Sequence, residues 1–187
     1  MVENTRKLGQ HMKILLAYMS KTGTTEECMD RLAGMLTGIE VEKVRLDQQT
    51  PNLSDYDLLV LGAPVRFGKV PKAYAAYLKA NEETISEMPH ALTLCCGLAH
   101  DYEYYLERTY SARLRESAFS VMNFGGTLDY KGQGFFEKLL IHAMRSSIRE
   151  SEIEDGEYTP EMPGILPENI GKLATYIRTE IGKIASK

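Results

Sequence analysis

The sequence predicts an α/β fold: a doubly wound, five-stranded parallel sheet in the order 2-1-3-4-5, with helices on both faces in three layers, α/β/α. Three observations carry this expectation. Short apolar runs recur without the alternation of a half-exposed strand, as strands covered on both faces require. Helical stretches separate them, and parallel neighbours need such crossovers, which are right-handed. The length, 187 residues, suits one domain with a substantial core.

Taken in chain order, Ile14-Leu15-Leu16-Ala17-Tyr18 is nearly continuous and apolar and reads as the first, central strand. From Gly23 to Leu36, apolar residues fall near helical spacing, and Glu26 and Glu27 in the first turn suit the helix dipole. Val41 to Leu46 alternates apolar and charged residues, as an edge strand does, whereas Asp57 to Gly62 is apolar after its first residue and reads as central. Pro71 to Ala80 is a helix with proline in its first turn. Ala91 to Gly97 is a further buried strand, Tyr102 to Glu116 one polar-faced helix, and Phe119 to Gly126 the fifth strand. Two more helical stretches follow, Gly134 to Arg149 and Pro167 to Ala185, with a surface loop rich in acids, Pro and Gly from Glu150 to Pro167. The regular pattern starts at Met12, so residues 1–11 read as an N-terminal extension, native or added, and 12–187 as the domain.

Composition narrows the function classes. Hydrophobic residues make up 43% and charged residues 26%, an ordinary globular balance. A formal charge of -4 supplies no basic surface for nucleic acid. Cys28, Cys95 and Cys96 form no CxxC pattern, and His11, His90, His100 and His142 share no metal-ligand spacing, so no metal is expected. The adjacent cysteines read as small buried apolar residues. Reduced thiols and the lack of an apolar leader before Met12 point to the cytoplasm. No run of about 18 apolar residues is present to span a bilayer.

In an open parallel sheet, ligands bind beyond the carboxyl ends of the strands. The loop there, Ser20-Lys21-Thr22-Gly23-Thr24-Thr25, places four hydroxyls and a glycine between the first strand and a helix start. Unpaired N–H groups and the helix dipole favour an anion at such a position, and hydroxyls add neutral donors. Capping alone needs one such residue. Neither the Walker A pattern nor Gly-x-Gly-x-x-Gly is present, which disfavours ATP and NAD as tightly held ligands. Lys21 either adds charge or extends into solvent.

Ser20-x-Thr22-Gly23-x-Thr25 resembles the flavodoxin phosphate loop, with Thr24 where that family commonly carries Asn. The segment Gly62-Ala63-Pro64-Val65-Arg66-Phe67-Gly68-Lys69 is similar to the Gly-Ala-x-x-Arg-aromatic-Gly pattern of the flavodoxin-domain branch that includes menaquinone-dependent protoporphyrinogen IX dehydrogenase. Gly125-Gly126-Thr127-Leu128-Asp129-Tyr130 resembles that branch's Gly-x-Leu-x-Tyr loop, and the likeness runs through most of residues 12 to 149. The resemblance implies FMN as cofactor. Its phosphate would sit at Ser20–Thr25, one ring face against Ala63, Pro64, Val65, Arg66, Phe67 and Gly68, and its pyrimidine edge at backbone groups of Cys96, Gly97 and Leu98.

Phe67 stacks on the ring or packs in the core; Arg66 faces the flavin, a substrate carboxylate or solvent. Because the flavin performs the chemistry, no catalytic side chain is required. Arg66, Tyr130 and Phe135 are the candidate substrate-pocket residues. The stripe Phe135, Phe136, Leu139, Leu140, Ala143, Met144 and Ile148 packs in the core, borders a pocket, or rests on a membrane surface near quinones. Tyr130-Lys131-Gly132-Gln133-Gly134 is sparser in basic and aromatic residues than the branch, which leaves the substrate open. The expected function is an FMN-dependent oxidoreductase acting on a flat organic molecule or quinone. The rivals are an electron carrier serving a redox protein partner and a flavin-free interaction module, with the oligomeric state open.

Overall fold

The structure, a computed structural model, describes residues 12–97, 102–126 and 164–186. Its main sheet is formed by β1 (Lys13–Tyr18), β2 (Glu40–Arg45), β3 (Leu58–Pro64), β4 (His90–Cys95) and β5 (Ser120–Asn123), in the order β2-β1-β3-β4-β5. Every adjacent pair is parallel, as expected. The connecting helices are α1 (Thr24–Met35), α2 (Lys72–Glu87), α3 (Tyr102–Thr109) and α4 (Ala112–Ser117), and α5 (Pro167–Ala185) follows a second, two-stranded antiparallel sheet of β6 (Gly125–Gly126) and β7 (Gly164–Ile165). Among the described residues no helix is long and apolar enough to cross a membrane.

Strand periodicity divides the core in two. Leu15 and Ala17 of β1, Leu59 and Leu61 of β3, and Leu92 and Leu94 of β4 face Tyr74 and Leu78 of α2, Leu106 of α3 and Leu114 of α4. The intervening residues Ile14, Leu16, Leu58, Val60 and Ala91 face Cys28, Met29 and Leu32 of α1 and Ile170, Leu173 and Ile177 of α5. Strand β2 is at the edge, as its charge alternation predicts.

Three elements differ from the sequence expectation, the first being the helix expected over 71–80, which extends to Glu87. The single helix over 102–116 is divided at Tyr110-Ser111, because the Ser111 hydroxyl accepts the Leu114 N–H at 3.3 Å and starts α4. Meanwhile the Tyr110 ring is drawn into the core, its hydroxyl 2.8 Å from that of Tyr74 and donating to the Thr93 carbonyl at 2.8 Å. The fifth strand is also divided. Only 120–123 joins the main sheet; Gly125 turns at φ +76 and its neighbour pairs with Gly164. A Cβ at Gly125 would meet the Gly164 carbonyl oxygen at 2.0 Å, so this approach requires glycine.

Replacing Tyr110 with Phe orphans a buried acceptor and a buried hydroxyl while keeping the ring. The expected loss is about 1.5 kcal/mol, read by urea denaturation, with no change in the native fold. An unchanged midpoint would show that the Tyr110–Thr93 bond contributes nothing to stability.

Candidate functional site

Loops after β1, β3 and β4 emerge side by side, because these strands are adjacent and in register: Tyr18 lies opposite Gly62, and Pro64 opposite Cys95. The chain diverges here, from β1 to β2 on one side and through β3 to β4 on the other, which is where open α/β sheets bind ligands.

The first loop brings Ser20, Lys21, Thr22, Gly23, Thr24 and Thr25 together at the start of α1. Gly23 adopts the left-handed conformation at φ +92 and occupies the N-cap, so no side chain caps this helix from that position. Thr24 and Thr25 are the first two helical residues. Lys21, Thr22 and Gly23 are exposed, and an added Cβ on Gly23 would meet no atom within 4 Å. Buried Ser20 accepts the Glu26 N–H through Oγ at 3.4 Å, leaving its hydroxyl proton to donate. The Thr25 hydroxyl is buried, with the residue 1% exposed, and makes no hydrogen bond of ordinary geometry, with the Cys95 thiol beside it. A native structure rarely leaves such a group unsatisfied. The donor set fits a phosphate.

Glu26 and Glu27 would repel that anion, and each is paired. Arg45 of β2 contacts Glu26 at 3.2 Å, and Tyr18 donates to the same carboxylate at 3.2 Å. Arg31 holds Glu27 at 2.7 Å. Burial first and Glu26 second push the Tyr18 phenol above its ordinary value. Arg45 also donates to the Ser20 carbonyl at 2.9 Å and to Asp47, so one guanidinium shapes the loop and offsets its nearest acid. Sequence reasoning passed over Arg45, which looks like a solvated charge on an edge strand.

Of the second segment, Ala63 and Pro64 belong to β3 rather than to the loop, because ladder pairing to Leu94 and Cys95 continues through them. Val65 then donates to the Cys95 carbonyl at 3.0 Å. The next four residues form a tight turn, with Arg66 N–H to Lys69 carbonyl at 2.8 Å and the reverse bond at 3.0 Å. Both central residues have positive φ, Phe67 at +49 and Gly68 at +72. Among the described residues Phe67 is the one non-glycine residue in that region. Its backbone costs roughly 1–2 kcal/mol there. Arg66 places its guanidinium carbon 5.7 Å from the Phe67 ring centre, and both side chains are half-buried.

The third segment is described for Cys96 and Gly97; Leu98 lies outside the described residues, as do Tyr130, Phe135, the 134–149 helix, residues 1–11 and the 127–130 part of the glycine-rich loop. Cys96 is buried, and its N–H donates to Asn123 Oδ1 at 3.2 Å. Asn123 Oδ1 also accepts the Gly125 N–H at 2.9 Å, while the Asn123 carbonyl accepts from Asn169 of α5 at 2.8 Å. The Cys96 amide thus serves the loop's own architecture rather than standing ready for a ligand. A Cβ on Gly126 would come within 2.9 Å of the Gly97 nitrogen, so β6 and the third loop are in close backbone contact. Asn123 was missed in the sequence because it reads as an ordinary strand residue.

The cysteines are buried and free. Cys28 and Cys95 bring their sulfurs to 3.9 Å, and this contact together with burial holds the Cys28 thiol far above its usual range. Cys28 is therefore a packing residue, not a nucleophile. Among the described residues no three His, Cys, Asp or Glu side chains gather as a metal site.

A family model described as a flavodoxin domain matches residues 15–154. Protoporphyrinogen IX dehydrogenase [quinone] of Leishmania major is 30% identical over 142 residues, covering 71% of this chain and 62% of that protein. The enzyme of the same name from Escherichia coli K12 is 29% identical over 83 residues, 43% of this chain and 46% of that one. The chain thus spans about half to three fifths of these relatives' length. Among solved structures, a short-chain flavodoxin associated with a PDU bacterial microcompartment superposes with a TM-score of 0.50 at 14% identity, covering 90% of this chain and 98% of that one.

Proposed function

Since the chain belongs to the flavodoxin domain family, we propose that it binds FMN at the three loops and acts as an FMN-dependent oxidoreductase toward a flat organic substrate or a quinone. What supports this reading is the first loop: a glycine N-cap, no capping side chain there, and a buried threonine hydroxyl that makes no hydrogen bond of ordinary geometry. Ser20, Thr22, Thr24 and Thr25 would hold the phosphate with backbone N–H groups of the first helical turn, and exposed Lys21 lies on the same loop. Pro64, Val65, Arg66, Phe67 and Gly68 would flank the ring, with Ala63 beneath the loop in β3. The backbone of Gly97 and Leu98 would meet the pyrimidine edge.

The bound flavin would supply hydride and single-electron chemistry. The protein's part is to hold the ring, shed water from one face and leave the other reachable. Names of the relatives favour a quinone acceptor and a porphyrinogen donor; the physiological pair is a matter for assay.

Quenching of flavin fluorescence on titration with the protein tests the cofactor, and failure to quench FMN rejects the proposal at its base. Given binding, turnover of a quinone or a porphyrinogen in stopped flow identifies an enzyme. Bound flavin that exchanges electrons only with redox proteins would make the chain a carrier instead.

Arg45 offers a further check. Arg45→Met removes the clamp on the Ser20 carbonyl and releases Glu26 beside the phosphate, so FMN affinity is expected to fall about fivefold to tenfold, the scale of one charge-assisted hydrogen bond. Riboflavin, which lacks the phosphate, should bind the variant and the parent alike. Isothermal titration distinguishes the two, and a parallel loss for riboflavin would mean that Arg45 supports the ring or the whole fold.

A further inference from the structure

Residues 58–81 hold Arg66, Lys69, Lys72 and Lys79 and no acid, in a chain with 26 acidic residues against 22 basic ones. The fold concentrates this charge further. Lys69 and Lys72 line a cleft of about 200 Å³ together with Gly68 of the turn, Tyr105 and, from the last turn of α3, Arg108. Lys79 stands two helical turns beyond Lys72 on the same face of α2, about 10 Å along the axis. Between these two lysines the exposed residues of the helix are Ala73, Ala75 and Ala76, which keep the surface low. Next to them Tyr104 is 56% exposed, with the Arg108 guanidinium carbon 5.2 Å from its ring centre. None of Lys69, Lys72, Lys79 and Arg108 forms an ion pair among the described residues. The acids of α2 begin only at Glu82, which accepts from the Ser111 hydroxyl. Those of α3, Glu103 and Glu107, lie off the cleft, and Glu107 pairs with Arg115 at 3.8 Å.

We infer that this face docks an acidic electron-carrier protein, which reduces the flavin one electron at a time. The inference rests on the flavin reading above and adds a protein redox partner to it. Two reduced carriers each lose one electron, and the flavin gains both together with two protons from water. Charge complementarity names the partner. Cations spread over a turn and two helices exceed the reach of one small anion, and they match a carboxylate-rich protein surface, which they would also steer into place. A lipid surface calls for large apolar side chains that insert, whereas the exposed stretch between Lys72 and Lys79 is alanine. Exposed tyrosine stacked with arginine has the composition of a protein-interface anchor, and the cleft has room for one Asp or Glu side chain of the partner. A Cβ on Gly68 would lie 3.6 Å from the Tyr105 ring, so α3 packs directly on the turn that flanks the flavin. A carrier seated on this face therefore contacts that turn, and the path to the ring is short.

The test mixes the FMN-loaded full chain with a reduced, acidic plant-type [2Fe–2S] ferredoxin in stopped flow and follows bleaching of the flavin. The bimolecular rate at low salt is expected to fall about tenfold as salt is raised beyond physiological strength. In a Lys72→Gln/Lys79→Gln/Arg108→Gln variant the half-saturating ferredoxin concentration should rise about tenfold, while the limiting rate and the FMN affinity stay as they were. All three side chains are exposed, so glutamine leaves the core intact. A rate that ignores salt, a half-saturation unchanged in the variant, or a loss confined to the limiting rate would overturn the inference. Binding to phosphatidylglycerol vesicles without binding to ferredoxin would overturn it in favour of a membrane. Isothermal titration of ferredoxin into the FMN-free chain keeps the two readings apart. A protein that ignores FMN yet binds ferredoxin in a salt-sensitive way loses the flavin function and keeps the docking face, and one that takes FMN but ignores ferredoxin does the reverse.

Discussion

Thr25→Val is expected to weaken FMN binding about thirtyfold and, at the same time, to stabilise the protein without ligand. The first effect is the loss of one hydrogen bond to a phosphate dianion from a desolvated donor, about 2 kcal/mol. The second follows from the same atom. Thr25 Oγ1 is buried with no partner better than the weakly hydrogen-bonding Cys95 thiol beside it, so the ligand-free fold bears most of its desolvation, and valine fills nearly the same space with a methyl group. A gain of about 1 kcal/mol in urea denaturation is the expected size. Riboflavin should bind both proteins equally. A variant that is destabilised without ligand would show that the hydroxyl has a structural partner, and an equal loss for riboflavin would remove Thr25 from the phosphate site.

Phe67→Gly should separate strain from stacking. Glycine accepts φ +49 without penalty, so the ligand-free protein is expected to gain about 1 kcal/mol from relief of the backbone, offset in part by the entropy that glycine loses on folding. If the ring covers the flavin, the same change costs about 2 kcal/mol of flavin binding through lost apolar contact and stacking. Here FMN and riboflavin should weaken together, opposite to the pattern at Thr25. A Phe67→Gly protein that binds both flavins undiminished would place the ring in packing against Arg66 alone. Phe67→Ala would retain the strain and lose the ring, which makes it the natural control.

The sheet was legible because each central strand is a short apolar run and each crossover shows helical spacing; neither property depends on distant residues. What the sequence hid was set by partners far along the chain. Ser111 interrupts a helical pattern that is otherwise continuous from Tyr102, and its cap on α4 acts together with the burial of Tyr110 to set the break there. Gly125-Gly126 pairs with Gly164-Ile165 across a long separation that no local periodicity announces. Similarly, the hydroxyls of the first loop stand out in any helix-start reading, yet Arg45 and Asn123 matter through contacts with Ser20 and Cys96 on other loops. The turn at Phe67 was half visible. Gly68 signals a bend, but a turn with two positive φ angles ordinarily selects Asn-Gly or Asp-Gly, and an aromatic residue in the first place contradicts that preference.

The hydrogen bond from Asn169 to the Asn123 carbonyl has a consequence in time rather than space. On a ribosome, the strands and loops through Asn123 emerge well before Pro167, and the hydrogen bonds within the first loop and from Arg45 to it join residues already made. The third loop is different. Its Cys96 amide depends on Asn123, and Asn123 is pinned by a helix whose Ile170, Leu173 and Ile177 must first cover one face of the sheet. A nascent chain arrested before residue 167 should therefore offer a phosphate grip without a finished bed for the ring, and cofactor loading should wait on the synthesis of α5. Pulse-labelled chains released at successive lengths would show it: FMN retention should rise when residues 167–177 appear, not when Asn123 does.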